Sequence, residues 1–222
     1  MPPDDEFTEP RWQLALVLAA FIVVTTVLRS TVKHHERLGP GWLVPGLEIA
    51  LLVLLIAADP ARIDAGRHRW LRTASIVLVS LLAVVVLTAT GKLIVELIQG
   101  GAVTNEASSL LASGAAVYLG NILIFSLLYW LLDSGGPLAR YRHDHEYPDF
   151  AFTQQQSPEL APPNWRPQYV DYLILGLTTS TAFSPTDVMP MARWAKMMMS
   201  AQSLIALTLV GLVIARAVNV FA

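Results

Sequence analysis

The chain contains no cysteine. Disulfides, thiolate metal sites and a cysteine nucleophile are excluded, and the redox compartment is left open. Charge is also scarce. Asp, Glu, Lys and Arg make up 14% of the residues, against about 25% in soluble domains. The net charge is −2, so no basic field points to nucleic acid. A Gly-rich phosphate loop, a nucleophile elbow and a His-Glu-x-x-His pair are all missing, as is any internal repeat. No nucleophile, base or metal set converges in the apolar segments. The chain is therefore expected not to be an enzyme and to carry no cofactor and no metal. A basic leader is lacking too. The first eleven residues, MPPDDEFTEPR, are acidic, so the first apolar segment is expected to stay as a span.

What the chain does contain is apolar sequence, 54% of it, gathered in long runs. Runs of this length and composition match the hydrocarbon thickness of a bilayer. The spacing predicts spans at 12–28, 42–58, 74–98 and 108–132, and a closing helix at 191–221. Between the fourth and the last lies a 17-residue segment, 169–185, whose second half is rich in Thr and Ser. It is marginal for a crossing and reads better as a half-membrane helix followed by irregular backbone. The expected fold is an all-α membrane bundle of five full spans plus one short or re-entrant segment. It divides into an acidic tail (1–11), a four-span region (12–132), a polar proline-rich loop (133–168) and a terminal module (169–222).

Arginine and lysine are distributed unevenly between the two sets of loops. Arg11, Arg62, Arg67, Arg69, Arg72, Arg140, Arg142 and Arg166 collect on one side, and Arg29, Lys33 and Arg37 on the other. The richer side is expected to be cytoplasmic. This predicts a multi-pass protein of the inner (plasma) membrane with its N-terminus and the 133–168 loop inside. A full sixth span would place the C-terminus inside as well, and a re-entrant segment would place it outside.

Two resemblances bear on the second half. A span, a long loop, a short helix, a Thr-rich bend, Asp187-Val188-Met189-Pro190 and a final span follow one another. That order is similar to the pore module of tetrameric potassium channels, over residues 108–220. The likeness implies a homo-oligomer around a shared pathway for an ion. The Gly-Tyr-Gly of that family's filter is absent, and Ala182-Phe183-Ser184-Pro185-Thr186 stands in its place. Without those glycines the unusual dihedrals of a carbonyl stack are not available. The filter loop of that family also faces outside, whereas the arginine count puts residues 133–168 inside. The chain also resembles bacterial multi-span membrane proteins that share Asp171-Tyr172-Leu173, Phe183 to Asp187, and Arg216 to Asn219. That likeness implies a family and no activity.

The candidate residues for a pore or solute site are Thr178, Thr179, Ser180, Thr181, Ser184, Thr186 and Asp187. Hydroxyls and freed carbonyls replace a solute's hydration shell, and a carboxylate at the mouth attracts cations. The rival reading of the same run is a helix C-terminus whose hydroxyls satisfy their own backbone. Glu48, Lys92 and Glu96 are ionisable groups within predicted spans, with Glu48–Lys92 as a candidate interhelical pair and Lys92 and Glu96 as candidates for snorkelling. His143, Asp144, His145 and Glu146 read as a solvated loop. Gly114, Ala115, Gly120 and Asn121 read as a close-packing face, with Asn121 bonding across helices. The functional expectation is permeation of an ion or small solute. The alternative is a non-catalytic membrane protein that binds a partner or lipid through the 133–168 loop.

Overall fold

The computed structural model describes Ala19, Ile22, Val23 and residues 65–100, 107–142, 147–163, 165–181 and 188–221. The first two expected spans, and Glu48 with them, lie outside the described residues apart from Ala19, Ile22 and Val23, which are helical. From Ala65 onward the described residues form six helices, two 3₁₀ turns and two short strands. Helix α1 is Ala65–Gln99 and α2 is Ala107–Leu132. A short α3, Pro137–Arg142, then leads to strand β1, Phe150–Phe152, and to α4, Thr153–Gln156. Helix α5 is Tyr169–Ser180, strand β2 is Val188–Pro190, and α6 is Arg193–Phe221.

Three of these helices are long and apolar enough to cross a membrane: α1, α2 and α6. They match the expected spans at 74–98, 108–132 and 191–221. Helix α1 starts earlier than expected, because the Arg-rich stretch before it holds good helix formers and no proline after Pro60. The core element is α2. Of its apolar window 72% is buried, against 33% for α1 and 22% for α6. Two apolar clusters flank it. One joins Leu93 and Leu97 of α1, Leu110 and Val117 of α2, and Leu209 of α6. The other is aromatic and lies at the far end of α2, around Tyr129, Trp130, Phe150, Phe152, Tyr169 and Tyr172.

The fold departs from a pure helix bundle at one place. Strand β1 pairs antiparallel with β2, in the register Phe150 with Pro190 and Phe152 with Val188. Met191 and Ala192 donate backbone N–H to the Asp149 carbonyl and extend the junction. The chain before α5 and the chain after it are thus held side by side. Helix α5 itself has 12 residues. At 1.5 Å per residue it is about 18 Å long, roughly half of a bilayer core. It starts beside the end of α2, with the Tyr169 ring 6.1 Å from Trp130. It then runs back along α2, bringing Gly176 against Ser126 and Ile122. By Val188 the chain is again at the end where it left α2.

The close approach of α5 to α2 depends on Gly176. A β-carbon there would lie 2.2 Å from Ser126 Oγ and 3.1 Å from the Ile122 carbonyl oxygen. Helix backbones approach this closely when a small residue sits at the contact. Gly114 plays a lesser part, since a β-carbon there would meet Val213 of α6 at 3.0 Å. Among the described residues, nothing lies within 4 Å of such a position at Gly211. Gly176→Ala is therefore expected to destabilise the fold by about 1–3 kcal/mol through overpacking. Gly211→Ala is expected to be neutral or mildly stabilising through helix propensity. Thermal unfolding of the two variants in detergent compares them directly. Equal midpoints would remove the proposed contact.

Candidate functional site

Two polar clusters position α5, one at each of its ends. The outer cluster forms where α2 stops. Asp133, Ser134 and Gly135 make a 3₁₀ turn, in which Ser134, Gly135 and Gly136 all have positive φ (49°, 78° and 96°). Glycine takes such angles readily, and serine does so at a cost. The strain at Ser134 is held by two bonds. Its N–H donates to Asp149 Oδ2 at 2.8 Å, and its hydroxyl donates to Asp133 Oδ1 at 2.9 Å.

Asp133 is buried and is the acceptor on which this end converges. The Tyr172 hydroxyl of α5 donates to its Oδ2, and the Phe150 N–H of β1 donates to its Oδ1 at 3.3 Å. Arg140 of α3 lies 3.9 Å from Oδ2. Arg140 also donates to the carbonyls of Trp130 and Asp133, at 2.7 and 2.9 Å, which closes the C-terminus of α2. Its Nη2 has no hydrogen-bond partner among the described residues. The guanidinium instead lies over the Tyr172 ring, 5.0 Å from its centre. Asp149 completes the cluster by accepting from Trp194 Nε1 of α6 at 3.1 Å. Phe150 packs its ring among Tyr129, Tyr172 and Trp194, and Phe152 packs between Tyr172 and Trp165. The start of α5 is capped locally, where Gln168 N–H donates to Asp171 Oδ2 at 2.7 Å.

The inner cluster holds the C-terminal end of α5. Gln202 of α6 is fully buried. Its Nε2 donates to the Gly176 carbonyl at 2.9 Å and to Ser180 Oγ at 2.7 Å. Its Oε1 accepts from the Tyr129 hydroxyl of α2 at 2.6 Å. The next residue of α6, Ser203, donates from Oγ to the Thr179 carbonyl at 2.9 Å. Residues 202 and 203 lie about 15 Å along α6 from its start, at 1.5 Å per residue. The polar end of α5 therefore sits about a third of the way along α6.

The structure brings four of the sequence-derived candidates to this end and divides them into two pairs. Thr179 and Ser180 are buried against α6. Thr178 and Thr181 point away from it, and their hydroxyls bond back to α5. Thr178 Oγ1 donates to the Ile174 and Leu175 carbonyls, and Thr181 Oγ1 to those of Leu177 and Thr178. These two hydroxyls thus follow the rival reading, in which the run terminates its own helix. Ser184, Thr186 and Asp187 lie outside the described residues, as do His143, Asp144, His145 and Glu146. Among the described residues no group of His, Asp and Glu is arranged to hold a metal. Lys92 is exposed and Glu96 half-buried on α1, far along the helix from both clusters. Asn121 is fully buried, and neither atom of its amide has a hydrogen-bond partner. The expected bond across helices is not made there among the described residues. Ala115 is exposed, so the close-packing face consists of Gly114, Gly120 and Asn121 without it.

Asp133, Arg140, Asp149 and Gln202 are absent from the sequence-derived set. A signal existed for two of them. Asp133 directly follows an apolar run and precedes Gly135-Gly136. Gln202 is the only glutamine in the last apolar helix. A polar group at membrane depth is a candidate for function by default. No family model, no characterised protein and no solved structure matches this chain.

The outer cluster predicts a measurable coupling. Removing the Asp133 carboxylate leaves Arg140 buried without its counter-charge, so Asp133→Asn is expected to cost about 3 kcal/mol. Tyr172→Phe is expected to cost less. The double variant is expected to fall short of the sum by about 1 kcal/mol. Additive losses in a thermal or chemical unfolding cycle would show that Tyr172 and Asp133 do not act together.

Proposed function

We propose that the chain is one subunit of a homo-oligomeric membrane pore for a cation, in which α5 and the residues after it form a re-entrant segment. One observation carries this reading. A helix of half-membrane length is flanked by two strands that pair with each other, so the chain enters and leaves at the same end of the bundle. A sixth full span would have carried Val188 to the opposite end. A polar helix terminus at half depth is tolerated beside protein or water, and not beside lipid. The C-terminus of a helix carries the negative end of its dipole and favours cations. Asp187, six residues past Thr181, would add to that preference.

The remainder of the architecture follows from the same reading. Residues 12–28 and 42–58 supply two further spans, for five in all, and the arginine bias sets the N-terminus in the cytoplasm of a cell with an inner (plasma) membrane. The absent Gly-Tyr-Gly argues against a potassium-type carbonyl stack, so the selectivity is set by other groups. The reading in which the 133–168 loop recruits a partner has less support. Phe150, Phe152 and Trp165 of that loop pack onto the bundle itself and reduce the surface it offers.

The test combines sidedness with flux. The cysteine-free chain accepts single cysteines at Leu160 and Met189, both exposed and lying on either side of α5. An impermeant thiol reagent is expected to reach both from the same face of sealed vesicles. Labelling from opposite faces would make residues 169–185 a full span and end the re-entrant reading. Purified protein in vesicles is expected to pass K⁺ or Na⁺, with Asp187→Asn lowering the rate. Vesicles that remain tight to both ions would end the permeation reading.

A further inference from the structure

We propose that Gln202 is the positioning residue that fixes the inner end of α5 and, through it, the ion preference of the pathway. This rests on the permeation reading above and adds to it a residue on a different helix from the Thr/Ser run. The geometry is specific to an amide. Gln202 offers two N–H donors and one acceptor, and each has a partner on a different element or residue. The donors take the Gly176 carbonyl and Ser180 Oγ of α5, and the acceptor takes the Tyr129 hydroxyl of α2. The side chain is fully buried, so no water competes for these bonds. It therefore fixes α5 relative to both α2 and α6 at one point.

That point lies one residue before Thr181, where α5 ends. Ser203, the next residue of α6, adds a bond to the Thr179 carbonyl. The other anchor of α5, Tyr172 on Asp133, is two turns away at the opposite end of the helix. A short helix held at its start alone pivots there, and its far end moves most. Gln202 removes that freedom. Glutamate at this position would keep the acceptor and lose both donors to α5. Methionine would fill a similar volume and lose all three bonds.

The experiment uses the full chain in vesicles and reads the K⁺/Na⁺ flux ratio, which a purely structural contact would leave alone. Gln202→Met and Gln202→Glu are expected to change this ratio by about threefold or more. Thr88→Val, on an exposed face of α1, is expected to leave it unchanged. An unchanged ratio in both Gln202 variants overturns the proposal. If wild-type protein passes no ion, the permeation reading fails, and a second measurement still judges Gln202. A single cysteine at Thr181 is expected to react several-fold faster with a small thiol reagent when Gln202 is methionine. An unchanged rate overturns the positioning role by itself. Should Gln202→Met not fold, Ser180→Ala removes one of the two arms to α5 and is expected to shift the rate in the same direction. No shift there counts equally against the proposal.

Discussion

A helix of 12 residues packed against a longer one has to be held in place by its neighbours. Within the described residues that requirement falls first on the Asp133 carboxylate. It accepts from the Tyr172 hydroxyl, from the Phe150 N–H and from Ser134, with Arg140 alongside. Four segments meet at that one side chain: the end of α2, α3, β1 and α5. The left-handed turn after α2 places the carboxylate there, and Asp149 steadies the turn while gripping Trp194 at the start of α6. A buried ionic group of this kind adds little net stability over an apolar substitute. Its contribution is to choose one arrangement among several that would bury similar apolar area.

Helix α2 is the surface on which that arrangement is built. Its neighbours α1 and α6 are mostly exposed, and α5 covers it only because Gly176 allows contact with Ser126 and Ile122. The two clamps then divide the work along α5. The outer clamp is charged and draws on the 133–168 loop. The inner clamp is neutral and draws on α6. A neutral amide suits this fully buried position, because a charged group there would need its own counter-charge.

Long apolar runs made the three described spans legible, since period and length suffice when a helix is apolar all round. The shortness of the helix that starts at Tyr169 was equally readable, because the Thr/Ser run cut the apolar stretch. The loop was not readable in the same way. Phe150 and Phe152 are three-residue strand positions in a polar context, and their pairing with Val188 to Pro190 spans a separation that no local pattern encodes. The hydroxyls of Thr178 and Thr181 illustrate a further limit. Their residue type suits a solute site and a helix end equally, and only the bonds to Ile174, Leu175, Leu177 and Thr178 distinguish the two. Gln202 and Asp133 were single polar letters beside apolar ones, and their value lies in partners 22 to 73 residues away.

The pairing of β1 with β2 also has a consequence for how the protein is made. Spans that are apolar throughout enter the bilayer one at a time and associate afterwards. Helix α5 cannot follow that route, because its Thr-rich end has no independent claim on the lipid. Strand β2, Gln202 and Ser203 are all synthesised after it. The ribosome must therefore deliver α6 before α5 can settle against α2. The order of synthesis thus leaves the inner end of α5 unanchored until α6 has formed.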